Sequence, residues 1–113
     1  MPDAPVTTIV KKEEFTAAVA TEGKALAVID YFATWCGPCR QMAPKVQAFA
    51  NTYTNVAFYK VDVDEAEDLA AEQEISAMPT FQLWQKGTKL KEFKGANAQA
   101  LEDLIKANGG VSA

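Results

Sequence analysis

Nine consecutive residues, Ala25 to Ala33, are apolar or aromatic at every position but Asp30. A strand with one wet face alternates apolar and polar residues, whereas a run that is apolar on successive positions is covered on both faces, as in the centre of a layered sheet. Soon after the run comes Trp35-Cys36-Gly37-Pro38-Cys39, which holds both cysteines of the chain. Gly37 and Pro38 let the chain turn sharply, and a proline suits the first turn of a helix, where its missing N–H would have had no partner. A buried strand, a tight turn and a helix start are therefore encoded in succession, with a dithiol at the junction.

The remaining elements follow from periodicity. Val6 to Val10 reads as a short β-branched strand, and Lys11 to Thr21 as a helix with Phe15, Ala18 and Val19 at helical spacing, ended by Gly23. Cys36 opens a helix to about Asn51, with Pro44 inside it as a kink. Val56 to Val63 is a second buried strand, and Asp64 to Glu74 a helix with Asp64 as its cap. Thr80 to Gln85 and Lys89 to Phe93 form a hairpin across Lys86-Gly87-Thr88, and Asn97 caps a last helix with Leu101, Leu104 and Ile105 inward. This βαβαβαββα order calls for an α/β fold, a mixed sheet with helices on both faces. No repeat or linker divides the chain, so residues 1–113 read as one domain with 1–5 and 109–113 as loose ends.

Composition narrows the function. With 49% hydrophobic and 23% charged residues the chain is that of an ordinary globular domain, and at 113 residues it needs no disulfide to hold its core. A net charge of −4 leaves no basic field for nucleic acid or an anionic membrane surface. The longest apolar run is far short of the ~20 residues a membrane helix requires. The first residues lack the charged and apolar regions of a secretory signal, which suggests a reducing, cytoplasmic location, an organellar form with its targeting segment removed being the alternative. The chain has no histidine, which removes the commonest general base, the commonest metal ligand and any Cys–His pair.

The chemistry is then left to sulfur. A purely structural Cys36–Cys39 bridge closes so short a loop that it constrains the unfolded chain by only ~2 kcal/mol. Structural zinc wants four Cys or His ligands, and two are present. A redox dithiol fits better: Cys36 at the helix N-terminus meets free N–H groups and the positive end of the dipole, which stabilise a thiolate below the ~8.5 of a free thiol. Cys36 is then the nucleophile, and Cys39, one turn further in and expected to be less exposed, is the resolving thiol. Asp30 interrupts the buried run, where burial would raise its pKa and make it a base for Cys39. Lys60, in the strand Val56 to Val63, is a candidate neighbour for Asp30, or else a lysine that snorkels to the surface. On its own, Pro79 in Met78-Pro79-Thr80 only starts a strand.

Taken together these residues resemble the thioredoxin family over about Val6 to Asn108. Trp35-Cys36-Gly37-Pro38-Cys39 matches that family's active site, Asp30 its buried aspartate, Lys60 the neighbouring lysine and Pro44 the helix-kinking proline. Met78-Pro79-Thr80 matches a cis-proline loop facing the disulfide, Gly87 the hairpin glycine, and Gly95 the glycine bordering the substrate groove. The resemblance implies a thioredoxin fold, five strands in the order 1-3-2-4-5 flanked by four helices. It further implies a general protein-disulfide reductase with no bound cofactor and no metal, re-reduced by an NADPH-dependent thioredoxin reductase; a monomer is expected, since substrate docking accounts for an exposed Trp35 without self-association. Gly37-Pro38 between the cysteines is the reductase-type choice. Phe32 replaces a tryptophan common in bacterial members, and Met78 is a eukaryotic choice, which together look fungal or otherwise eukaryotic. The groove expected from the match comprises Trp35, Ala77, Met78, Pro79, Gly95 and Ala96, largely uncharged and suited to an extended peptide. A redox-dependent binding module using the same residues without turnover is the alternative reading.

Overall fold

A computed structural model of the chain describes residues 2–113. The elements are β1 (Val6–Thr8), α1 (Lys12–Val19), β2 (Leu26–Phe32), α2 (Gly37–Thr52), β3 (Val56–Asp62), α3 (Glu67–Glu72), β4 (Thr80–Gln85), β5 (Thr88–Lys94) and α4 (Ala98–Ala107). The five strands form one sheet in the order β1-β3-β2-β4-β5. β1 and β2 run parallel to β3, while β4 runs antiparallel to β2 and β5 antiparallel to β4. The expected mixed sheet and its order are as observed. Among the described residues no helix is long and apolar enough to cross a membrane.

The two-sided burial of β2 explains the layering. Leu26 and Val28 pack with Met42 and Val46 of α2 and Leu101 and Ile105 of α4. Ile29 and Tyr31 pack on the opposite face with Phe15 and Val19 of α1 and Leu69 of α3. Strand alternation therefore aims Asp30 at the α2 side, beneath the helix that carries the cysteines.

Several local expectations are revised. β1 is shorter than Val6 to Val10, although Ile9 still donates its N–H to the Lys60 carbonyl at 2.9 Å. α3 starts at Glu67 with Ala66 as its cap, so Asp64 does not cap it. The Asp62 side chain accepts the N–H of Asp64 at 2.9 Å, a turn closed by a short carboxylate, which delays the helix. Pro44 lies within α2 and has no N–H to offer the Arg40 carbonyl. Both ends read as loose are hydrogen-bonded to the body: Asn51 accepts the N–H of Ala4, Asn55 clasps Gly109 and Val111, and Ala113 donates to the Thr52 carbonyl.

The β4–β5 hairpin has a two-residue loop, since Gln85 pairs with Thr88. Lys86 and Gly87 have φ of 49° and 79°, the double left-handed geometry of a type I′ turn. The loop is fastened to the end of α1, with Lys86 N–H donating to Thr21 Oγ1 at 3.0 Å and Gly87 N–H to the Val19 carbonyl at 2.8 Å. Lys86→Asn, which tolerates this geometry better, is expected to stabilise the protein by about 0.5–1 kcal/mol. Thr21→Val keeps the side-chain shape but removes the acceptor and should cost about 1 kcal/mol. Urea unfolding of both variants checks the two signs.

Candidate active site

β2 delivers the chain to a turn, Ala33-Thr34-Trp35, and Cys36 follows as the N-cap of α2 with extended backbone dihedrals. Its Sγ accepts the N–H of Cys39 at 3.2 Å, taking the role a serine or aspartate oxygen plays at other helix starts. Pro38 occupies the first turn, where no donor is missed. Cys36 and Cys39 are joined by a disulfide, with Cα atoms 5.3 Å apart. In this oxidised form their exposures are 6% and 5%. In the oxidised protein the expected difference in exposure between the two residues is absent. Position relative to the helix terminus, not access, is what separates them.

The Met78–Pro79 peptide bond is cis, as expected. Cys36 Sγ lies 3.8 Å from the Met78 carbonyl oxygen, so this loop stands directly against the disulfide. Gly95 donates its N–H to the Pro79 carbonyl at 2.9 Å, which brings the Gly95-Ala96 turn alongside. Ala77 and Ala96 are exposed, and Met78 and Gly95 are half-buried. Trp35 is 65% exposed, the largest apolar side chain left open on the described surface. Its indole is held by Asp64, whose Oδ2 accepts from Nε1 at 2.9 Å. Sequence reading missed this anchor, since nothing in a separation of 29 residues signals the contact.

Asp30 is 8% exposed, and its Oδ1 has no hydrogen-bond partner in the protein. Burial pushes its carboxyl up to about 7, with Lys60 pulling weakly the other way. Lys60 sits opposite Asp30 in the β2–β3 register and is half-buried, but no ion pair joins the two side chains. Asp30, Lys60, Cys39 and Arg40 line one cavity of about 280 Å³. The volume is ample for several water molecules. Arg40 also went unremarked in the sequence; its guanidinium donates to the Thr34 carbonyl at 2.9 Å and braces the turn before Trp35. Among the described residues no group of three or more His, Cys, Asp or Glu side chains is placed to hold a metal ion.

The thioredoxin family model matches residues 6–107. Thioredoxin-1 of the fission yeast Schizosaccharomyces pombe is 50% identical, over 84% of this chain and 90% of the relative. The thioredoxin structure from Malassezia sympodialis superposes with a TM-score of 0.87 at 36% identity, covering 96% of this chain and 94% of that one. Mitochondrial thioredoxin 3 of Saccharomyces cerevisiae gives a TM-score of 0.84 at 41% identity, covering 90% and 94%. With the fold, the strand order and a redox-active Cys-x-x-Cys pair all in agreement, the chain belongs to the thioredoxin family of protein-disulfide oxidoreductases.

Proposed function

We propose that this reductase works from Cys36, with Cys39 as the resolving thiol and Asp30 as the base. The observation that carries this assignment is the capping of α2 by Cys36 Sγ, which receives a backbone N–H at 3.2 Å. A donor and the helix terminus together favour the thiolate of Cys36, whereas the Cys39 sulfur, further into the first turn, receives no hydrogen bond from the described residues. In the reduced protein the Cys36 thiolate attacks one sulfur of a substrate disulfide, forming a mixed disulfide and expelling the other sulfur as a thiolate. Cys39 then gives its proton to Asp30, directly or through water in their shared cavity, and attacks Cys36 Sγ. The Cys36–Cys39 disulfide closes, the second substrate thiolate leaves, and both substrate sulfurs take up protons. Two electrons have passed to the substrate.

Lys60 moderates the charge that Asp30 acquires, and Gly37 and Pro38 shape the turn that holds the sulfurs. Trp35, Ala77, Met78, Pro79, Gly95 and Ala96 form the substrate groove, where an extended peptide pairs with the backbone beside Met78 in the manner of strand addition. The substrates are disulfide-containing proteins, and the oxidised form returns to the dithiol through an NADPH-dependent thioredoxin reductase. The protein acts as a monomeric single domain in the reducing cytoplasm; a mitochondrial site, as for the budding-yeast relative, is the alternative. Turnover of insulin disulfides with reductase and NADPH is the direct test. Stoichiometric binding without turnover would make the chain a redox-dependent binding module instead.

In the reduced protein Cys36 should be alkylated by iodoacetamide well before Cys39 at neutral pH, as read by mass spectrometry of peptides; equal rates would sink the assignment. Cys39→Ser is expected to accumulate a mixed disulfide with substrate, because no resolving thiol remains, while Cys36→Ser traps nothing.

Asp30→Asn is expected to be more stable and less active at neutral pH. A carboxyl raised from 3.8 to about 7 keeps its proton in the native state where the unfolded chain has lost it. Stability therefore falls as pH rises through that window and stays low above it. Each tenfold change in proton affinity is worth about 1.4 kcal/mol, so the variant should gain a few kcal/mol at pH 8. Below about pH 3.9 the gain vanishes, since Asp30 is protonated in both states. Urea melts across pH beside insulin-reduction rates decide it; a variant destabilised at pH 8, or as fast as the parent, removes Asp30 from the mechanism.

A further inference from the structure

Gln82 lies in the middle of β4, fully buried between Phe81 and Leu83, where an amide is costly unless its polar atoms are bonded. Its Oε1 accepts from Tyr31 Oη at 2.8 Å and from Trp84 Nε1 at 3.0 Å. An indole N–H only donates, so the oxygen end of the amide is fixed. The Nε2 end therefore donates to Glu92 Oε1 at 2.9 Å on β5 and to Gln73 Oε1 at 3.3 Å. The same amide holds the Glu92 carboxyl below its ordinary range. One side chain thus ties β2, β5 and the end of α3 to β4.

The Gln73 end of this network leads to the substrate loop. Gln73 is the C-cap of α3, and the segment from Glu74 to Pro79 carries Ala77 and Met78 to β4. At the β4 end the segment is fixed by Thr80 Oγ1 donating to the Ala77 carbonyl at 2.6 Å and by Gly95 N–H donating to the Pro79 carbonyl. At the α3 end, Gln73, Glu74 and Ile75 return their N–H groups to α3 itself. Among the described residues, the Gln73–Gln82 bond is the one hydrogen bond between the end of α3 and the sheet. α3 has six residues, too few to hold its place by its own bonds.

We propose that Gln82, acting through Gln73, is a positioning residue for protein substrates: it sets where the Ala77–Pro79 backbone stands opposite Cys36. This rests on the groove assigned above. Neither amide touches the reacting sulfurs. An extended peptide that pairs with the loop backbone feels a displacement of that loop, whereas a small disulfide meeting only Cys36 does not.

Gln73→Met is the informative variant, because the site is half-buried and methionine matches the volume while removing the acceptor. The other three bonds of Gln82 remain. Reduction of insulin and of a small aromatic disulfide are followed in parallel, with a thermal melt as control. The expected result is a KM for insulin raised about five-fold, the scale of one neutral hydrogen bond, with its kcat and the rate on the small disulfide unchanged. An insulin KM equal to the parent's, or an equal loss on both substrates, overturns the proposal. Undiminished reduction of the small disulfide shows the dithiol intact, so the positioning role fails or stands independently of the mechanism at Cys36.

Discussion

The arrangement depends on the burial of β2 on both faces. Leu26 through Ile29, and Tyr31, are wholly removed from water, with residues of alternate parity facing the two helical layers. Such a strand has no stable place at an edge, so β3 and β4 flank it and helices cover both sides. A central strand in turn delivers its C-terminal end to the rim of the sheet, where α2 begins. The cysteines are therefore placed by the same burial that supplies much of the core, and the redox site is carried on the most deeply buried strand.

Sulfur chemistry then follows from an unsatisfied feature of helices. The first turn of α2 has N–H groups with no partner inside the helix, and a sulfur at the cap receives one of them. Pro38 contributes by having nothing to donate. The cis-proline loop closes the other side, with the Met78 carbonyl against Cys36. The disulfide is thus enclosed between the start of α2 and this loop, with Cys36 and Cys39 both buried.

Two buried polar groups show opposite solutions to the same cost. Gln82 is buried with all its hydrogen-bonding directions used, and it adds order to the sheet and to the loop beyond it. Asp30 is buried with an oxygen unpartnered, beside a cavity and a lysine that does not reach it. The first arrangement favours a fixed structure. The second raises a carboxyl to about 7 at the expense of stability, and supports the proton-accepting role proposed for it.

The α/β class, the strand–turn–helix that carries the dithiol, and the hairpin at Lys86-Gly87 were all legible in contiguous residues, because their physics is local: uninterrupted apolar character, a proline without a donor, a turn that needs positive φ. The buried state of Asp30 was legible for the same reason, as one carboxylate inside an apolar run. Which distant groups meet was settled by the folded packing. It withdrew Asp64 from a helix cap and gave it to the Trp35 indole, left Lys60 out of reach of an ion pair with Asp30, buried the two cysteines of the disulfide equally, fastened both chain ends, and brought Gln73 to Gln82. Side chains far apart in sequence find one another through sheet register and helix packing, and neither spacing nor composition encodes those distances.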